Sequence, residues 1–328
     1  MPDLFADQLE RVTRFLALAL KNEPLTDLCR QLALDGKRLR SRLLFASAAS
    51  NPLFAAGRDP VRAAAAIELV HAASLLHDDV VDRCAVRRGK AALHRISGAR
   101  LATLSGLHLV QLALAIVAEL PAQARRRIAA VARRLSRGQF LEITRVYDFS
   151  LRSDERLGIM ELKTASVFGL SCELGGVVTG DDPETCIRRR RAGEAFGMLF
   201  QIANDFDDIF ATEQELGRPP GADLAGGVIS LPITYGLETG ARAALIALLG
   251  AMRNAGAAEH IEGCRQLLRA SSALEQTFTL ARSYAYAARG HLAALPPSSG
   301  VEWMVSLVSD TLKHCRHSLA EPETTRAG

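Results

Sequence analysis

ELVHAASLLHDDVVDRCAVRRGKAALH, residues Glu68 to His94, is the stretch that decides the fold. Leu69, Val70, Ala72, Ala73, Leu75 and Leu76 make its first half apolar nearly all round, as in a helix buried on every side. This helix then acquires three carboxylates, Asp78, Asp79 and Asp82, and gives way to a basic segment, Arg87, Arg88, Gly89 and Lys90. Residues four apart stack on one face of a helix, so Asp78 and Asp82 point the same way. Two bare carboxylates side by side repel, and charges at the end of a buried helix need partners. Mg²⁺ fits: it takes hard oxygen ligands, is commonly held by one or two carboxylates, and fills its shell with waters and substrate phosphates. Arg87 and Arg88 add forked donors for phosphate oxygens. The stretch reads as a metal-bridged diphosphate site at the mouth of a helical cavity. The competing reading is a helix end whose acids are simply solvated.

Composition narrows the class. The chain has 328 residues, 48% hydrophobic and only 5% aromatic, rich in alanine, leucine and arginine. This favours helix and an all-α fold with one large core. A formal net charge of +4 gives no support for general nucleic-acid binding. Cys29, Cys84, Cys172, Cys186, Cys264 and Cys315 are scattered without a CxxC pair, which points to reduced thiols in the cytoplasm and not to a disulfide frame or a zinc site. Asp3, Asp7, Glu10 and Arg11 interrupt any apolar run near the start, so no signal peptide is expected. Leu101 to Ala118 carries no charge and reaches the lower limit of a membrane span. It contains Thr103, Ser105, Gly106, His108 and Gln111 and lacks basic or aromatic flanks, so it reads as a buried core helix, with no membrane span.

Along the chain, helices are expected over 5–21, 25–34 and 41–50. Gly36, Lys37, Arg38 and Arg40 open the third, a place where backbone N–H groups, the helix dipole and cations can converge on an anion. A linker is expected from Asn51 to Pro60. A helix from Pro121 to about Tyr147 carries Arg125, Arg126, Arg127, Arg133, Arg134 and Arg137, read as a solvated face, with Gln139 and Glu142 on its later turns. Asp154 is expected to cap the helix that holds Lys163 and Thr164. Lys163 lies among Leu162, Val167, Phe168 and Leu170 and would need an anionic partner. Arg188 to Arg191 read as the solvated start of the next helix. That helix ends in a second acidic cluster, Asn204, Asp205, Asp207 and Asp208, and Asp205 and Asp208 share a face. Two acidic clusters with basic segments between them suggest a diphosphate clamped through several Mg²⁺ ions. The turn-rich loop Leu216 to Gly227 follows, with Arg218 as a phosphate contact. The organisation expected is one domain over residues 1–318 and a frayed tail over 319–328.

At this point the chain resembles the trans-isoprenyl diphosphate synthases, the polyprenyl synthetase family. The pieces run in order: GKRLR at 36–40, EXXHXASLLHDDVVD at 68–82, RRG at 87–89, GQ at 138–139, KTA at 163–165, FQI at 200–202, the second acidic cluster, and GxDLxxG at 221–227. The resemblance implies an all-α isoprenoid synthase fold with helices around a central apolar cavity, usually as a homodimer. It implies condensation of isopentenyl diphosphate with an allylic diphosphate, using two or three Mg²⁺ ions. It assigns Asp78 and Asp82, supported by Asp79, and then Asp205 and Asp208, to the metal. It assigns Arg87, Lys163, Thr164 and Gln201 to the allylic diphosphate. Gly36, Lys37, Arg40, His71 and Arg88 go to isopentenyl diphosphate. Ala73 and Ser74, one turn before Asp78, would floor the tail channel, and their small size favours a product of C20 or longer.

The sequence departs from the family pattern in places. Asn204 stands where the second motif usually begins with Asp, and Asp207 adds a carboxylate where an apolar residue is usual. Val228 replaces an expected lysine, Leu107 an Asp, and Ala91 a proline. These departures keep two alternatives in view: a same-fold terpene cyclase or unusual prenyl-coupling enzyme, and a non-catalytic partner subunit of a heteromeric synthase.

Overall fold

The computed structural model describes residues 4–50, 57–255 and 260–319. Most of the expected Asn51–Pro60 linker, and the expected tail after Leu319, lie outside the described residues. The all-α class holds: the described residues form sixteen α-helices, one π-helical turn and one two-stranded hairpin. In order these are α1 (Ala6–Leu20), α2 (Asp27–Leu34), α3 (Leu39–Ala48), α4 (Asp59–Val81), β1 (Val86–Arg87), β2 (Lys90–Ala91), α5 (Leu93–Ala118) and α6 (Ala122–Thr144). Then come α7 (Ser153–Met160), the π turn (Glu161–Ala165), α8 (Ser166–Thr179), α9 (Pro183–Phe210), α10 (Glu213–Leu216), α11 (Ala222–Ala225) and α12 (Leu231–Leu237). The chain closes with α13 (Arg242–Ala255), α14 (Ile261–Arg269), α15 (Ala273–Ala293) and α16 (Ser299–Leu319). The residues gather into two compact units, each drawn from segments far apart in sequence.

The first unit holds the chain up to Leu135, Ser166–Glu194 and Ala288–Val305. In α1, Leu9, Val12, Leu16 and Leu20 are buried, a single helical stripe that docks on the core. Ala63, Ala64, Ala65 and Ala66 of α4 are all buried, and such small side chains let α5 and α8 approach closely. Two glycines are there for backbone proximity. A Cβ on Gly175 of α8 would strike the Leu44 carbonyl of α3, and one on Gly106 of α5 would strike the His77 ring next to Asp78. Ser47 donates to the Cys172 carbonyl at 2.6 Å, tying α3 to α8.

Three expectations for this unit are corrected. The uncharged helix is not buried on all sides: α5 buries Ala102, Ser105, Gly106, Leu109 and Ala113 but exposes Leu104, Leu107 and Leu114. It is long and apolar enough to cross a membrane, and a third of that window is buried. An uncharged stretch does not reveal how many of its faces find a neighbour. Within the Arg188–Arg191 run, Arg189 is not solvated: it is 1% exposed, paired with Asp181 at 2.7 Å and donating to Ser50 at 2.7 Å. On α6, Arg134 is half-buried and pairs with Glu194, while Arg127 stays on the solvated side yet reaches the buried Glu173.

The second unit holds Ser136–Ala165, Ala195–Ala287 and the chain from Ser306. Its core includes Leu199, Ile202, Phe206 and Ile209 of α9, spaced at helical period, and Leu231, Ile233 and Leu237 of α12, all buried, and the Leu231 N–H ties α12 to Asp205 of α9. The cap of α7 also differs from expectation. The helix starts at Ser153, Glu155 reaches back to the Arg152 N–H at 3.1 Å, and Asp154 pairs with Arg152.

Candidate active site

The first acidic and basic residues are set by the end of α4 and the hairpin that follows. Asp78 and Asp79 lie in the last turn of α4, and Asp82 caps it. Asp78 is half-buried and Asp82 exposed, on the shared face that the spacing predicts. Asp79 turns elsewhere. It is 2% exposed, and its Oδ1 accepts from Arg87 Nε at 2.8 Å and Nη2 at 2.5 Å. Burial, the largest single influence, opposes the charge on Arg87, but the Asp79 hydrogen bond together with the negative charges of Asp79, Cys84 and Asp78 outweighs it and raises the pKa.

Arg88 and Gly89 form the two-residue hairpin loop, with φ of 52° and 73°. Positive φ at both positions is the I′ pattern, whose twist matches the flanking strands. A non-glycine residue there is strained. The strain at Arg88 is offset by its side chain, which donates to the Asp35 carbonyl at 2.8 Å and the Leu32 carbonyl at 3.3 Å. Gly36 makes this docking possible: its φ is 121°, and a Cβ would sit 2.9 Å from Arg88 Nη2. RRG and the glycine of GKRLR are thus two halves of one contact.

Around them the unit collects cations. Arg38 is buried against Glu68, whose Oε1 also accepts from the Ser41 hydroxyl at 2.7 Å. Arg40 stacks over the Phe168 ring at 5.0 Å, and its buried Nε has no partner. Burial lowers its pKa to about 10, against the pull of Glu68 and with the push of Arg88. His71 is driven well below its ordinary value by burial and then by Arg40, Arg88, Arg87 and Arg38, so it is neutral at physiological pH. Lys37 is exposed beside this group. Four arginines surround one imidazole, while Glu68 and Asp79 supply the buried counter-charges. Such an excess of cations suits a multiply charged anion. One turn before Asp78, Ala73 is buried and Ser74 half-buried, its hydroxyl donating to the His71 carbonyl at 2.8 Å.

In the second unit the KTA residues occupy the π turn. Such turns insert a residue and re-aim a helix face, often at functional sites. The glycine of GQ explains its packing: a Cβ on Gly138 of α6 would lie 2.8 Å from the Lys163 nitrogen. The anionic partner that Lys163 requires is Glu142, which also accepts from Arg156 at 3.0 Å. Burial would raise the Glu142 pKa, but Lys163 and Arg156 hold it below the usual carboxylate range. Thr164 donates to Gln201 at 2.8 Å, and Gln201 donates to Asp205 at 2.8 Å. Asp205 also accepts from the Leu231 N–H at 2.8 Å and faces Arg156 at 3.6 Å. Arg218 pairs with Asp208 at 3.0 Å and with both oxygens of Asp223. Burial, then Asp223, pushes the Asp208 carboxyl up to about 7.

Asn204 is exposed, and Asp207 accepts from His314 of α16 at 2.5 Å. Tyr147 fixes the Leu216–Gly227 loop by donating to the Ala225 carbonyl at 2.5 Å, with Gly227 packed against its ring. Sequence reasoning missed Arg156 and Asp223 as parts of this network and gave Glu142 no partner. The signal for Arg156 was its place two turns before Lys163. Among the described residues no three His, Cys, Asp or Glu side chains converge as a group that could hold a metal ion. The Asp78 and Asp82 pair still suits Mg²⁺ as a donor set, since Mg²⁺ takes few protein ligands and keeps waters and phosphates for the rest.

Comparison with known proteins follows the same outline. A family model described as polyprenyl synthetase matches residues 22–268. A nonaprenyl diphosphate synthase of Mycobacterium tuberculosis is 36% identical over 279 residues, covering 84% of this chain and 82% of its own. A heptaprenyl diphosphate synthase component 2 of Geobacillus stearothermophilus is 33% identical over 69% of this chain and 68% of its own. The crystal structure of a polyprenyl synthase from Caulobacter crescentus, complexed with calcium and isoprenyl diphosphate, superposes with a TM-score of 0.85. It is 29% identical and covers 94% of this chain and 95% of its own.

Proposed function

Because the chain belongs to the polyprenyl synthetase family of trans-prenyltransferases, we propose that it condenses isopentenyl diphosphate with an allylic diphosphate in a Mg²⁺-dependent reaction. The observation that carries this reading is the arginine group around neutral His71, a concentration of positive charge larger than its own acids balance. Gly36, Lys37, Arg40, His71 and Arg88 would bind isopentenyl diphosphate, with Arg88 positioned by its backbone contacts. Arg87, Lys163, Thr164 and Gln201 would bind the allylic diphosphate. Asp78 and Asp82 would hold Mg²⁺, which when bound neutralises the diphosphate leaving group. Breaking the allylic C–O bond yields a carbocation. The isopentenyl alkene attacks it, and a proton is lost to the released pyrophosphate. The apolar flank of α4 excludes water that would quench the cation. The small Ala73 and Ser74 favour a product of C20 or longer, in keeping with the long-chain names of two relatives.

The apolar face Leu104, Leu107 and Leu114 supports a homodimer. A second reading, a subunit of a heteromeric synthase, has its own support. One relative is named component 2, and Asn204 and Val228 depart from the family pattern.

The test is incubation of the purified protein with Mg²⁺, isopentenyl diphosphate and each of the C5, C10, C15 and C20 allylic diphosphates, with products read by mass spectrometry. A longer linear diphosphate is expected, abolished by Asp78→Ala. A hydrocarbon formed without consuming isopentenyl diphosphate would replace the reading with a cyclase, and no product from any primer would favour a partner subunit.

A further inference from the structure

The second acidic cluster comes with its own counter-ions. Asp205 is 5% exposed and both oxygens are engaged: Oδ1 by Gln201 and the Arg156 guanidinium, Oδ2 by the Leu231 N–H. Asp208 is 1% exposed, and its Oδ1 accepts from Arg218 at 3.0 Å and the Asp223 N–H at 3.4 Å. Arg156 is 3% exposed and bridges two acids, one Nη on Glu142 and the other facing Asp205, as a divalent ion would bridge them. An arginine carries its charge permanently and presents fixed donors, so it neutralises buried carboxylates without a metal. The outward member of the cluster is Asn204, which is neutral, and Asp207 is turned to His314.

We infer that Arg156 and Arg218 fill the second acidic cluster in place of divalent ions, so that this chain takes up metal only at the Asp78 and Asp82 end of α4. The arginine filling stands on the contacts just given. The statement about Asp78 rests on the proposed function. The family pattern makes both clusters metal-binding; here guanidinium, amide and backbone donors already occupy both oxygens of Asp205 and Oδ1 of Asp208, so that of these four oxygens a divalent ion would find only Asp208 Oδ2, buried and without a donor, open to it, which is too few for a site.

The test counts bound Mn²⁺, used as the probe for Mg²⁺, on the full chain by electron paramagnetic resonance of the free ion, with and without inorganic pyrophosphate. Asp205→Asn and Asp208→Asn are expected to leave the number of bound ions unchanged and the affinity within about twofold, whereas Asp78→Asn loses binding. Arg156→Met, or Arg218→Met should the first variant fail to fold, is expected to gain an ion, because the acids lose their counter-charge. A fall in Mn²⁺ stoichiometry in both Asp205→Asn and Asp208→Asn would overturn the inference and leave the synthase reading standing. Full Mn²⁺ binding by Asp78→Asn would overturn the assignment of the metal to α4. Failure of the synthase reading would appear separately, as absence of product with the metal counts as expected.

Discussion

Gly36→Ala tests whether the two basic segments of the first unit form one device. At φ 121° an alanine is strained, at about 1–3 kcal/mol. Its Cβ would also meet the Arg88 guanidinium at 2.9–3.2 Å. Either the turn or Arg88 must move, and Arg88 then loses its bonds to the Asp35 and Leu32 carbonyls, each of about 1 kcal/mol. The sum is about 3–5 kcal/mol, shared between folding and binding. If half reaches the bound state, KM for isopentenyl diphosphate rises about tenfold to seventyfold. Steady-state kinetics and thermal melts are the assay, run on Gly36→Ala, Arg88→Ala and the double variant. A coupling of about 1–2 kcal/mol is expected, because in the Arg88→Ala background the clash is gone and only backbone strain remains. If Gly36→Ala leaves KM and melting temperature unchanged, or if the two effects simply add, the reasoning is refuted.

Other outcomes follow from the same contacts. Ser74→Phe should shorten the product by filling the space one turn before Asp78, at a stability cost of about 1 kcal/mol for the lost bond to the His71 carbonyl; unchanged chain length by mass spectrometry would place the floor elsewhere. Asp208 bears on the pH dependence of stability. Its carboxyl is near 3.8 unfolded and about 7 folded, so between those values the folded state holds a proton that the unfolded state has lost. Stability should therefore fall as pH rises through that window, by at most about 1.4 kcal/mol per pH unit for this one group. Asp208→Asn should flatten the slope in denaturant titrations at pH 4 to 7, and an identical slope would contradict the assignment. Leu107→Glu places a charge on the exposed face of α5, where covering each leucine is worth about 1–2 kcal/mol. Light scattering should then show a smaller assembly than wild type, and an unchanged mass would remove this face as the interface.

The sequence by itself determined the helical class and the order of chemistry along the chain. Apolar runs ending in carboxylates are local patterns, and the face shared by Asp78 and Asp82 follows from helix geometry alone. The need of Lys163 for an anion is equally local, since it follows from the apolar residues around it in the chain. What the tertiary structure decided is which charges meet. Asp79 belongs to Arg87 because the hairpin folds back onto α4, and spacing cannot register that return. Glu142 and Arg156 lie on different helices, and the pairing of Glu142 with Lys163 and Arg156, and of Arg156 with Asp205, forms only after α6, α7 and α9 pack. Arg189 is buried in a run that reads as solvated because one helical face met Asp181, Ser47 and Ser50 while its neighbours did not. The exposure of α5 has the same origin: hydrophobicity records what a side chain prefers, and only packing decides which faces are covered. Charge pairing and burial are non-local, and so the second acidic cluster, which reads as ligands along the chain, stands in three dimensions as carboxylates already held by arginines.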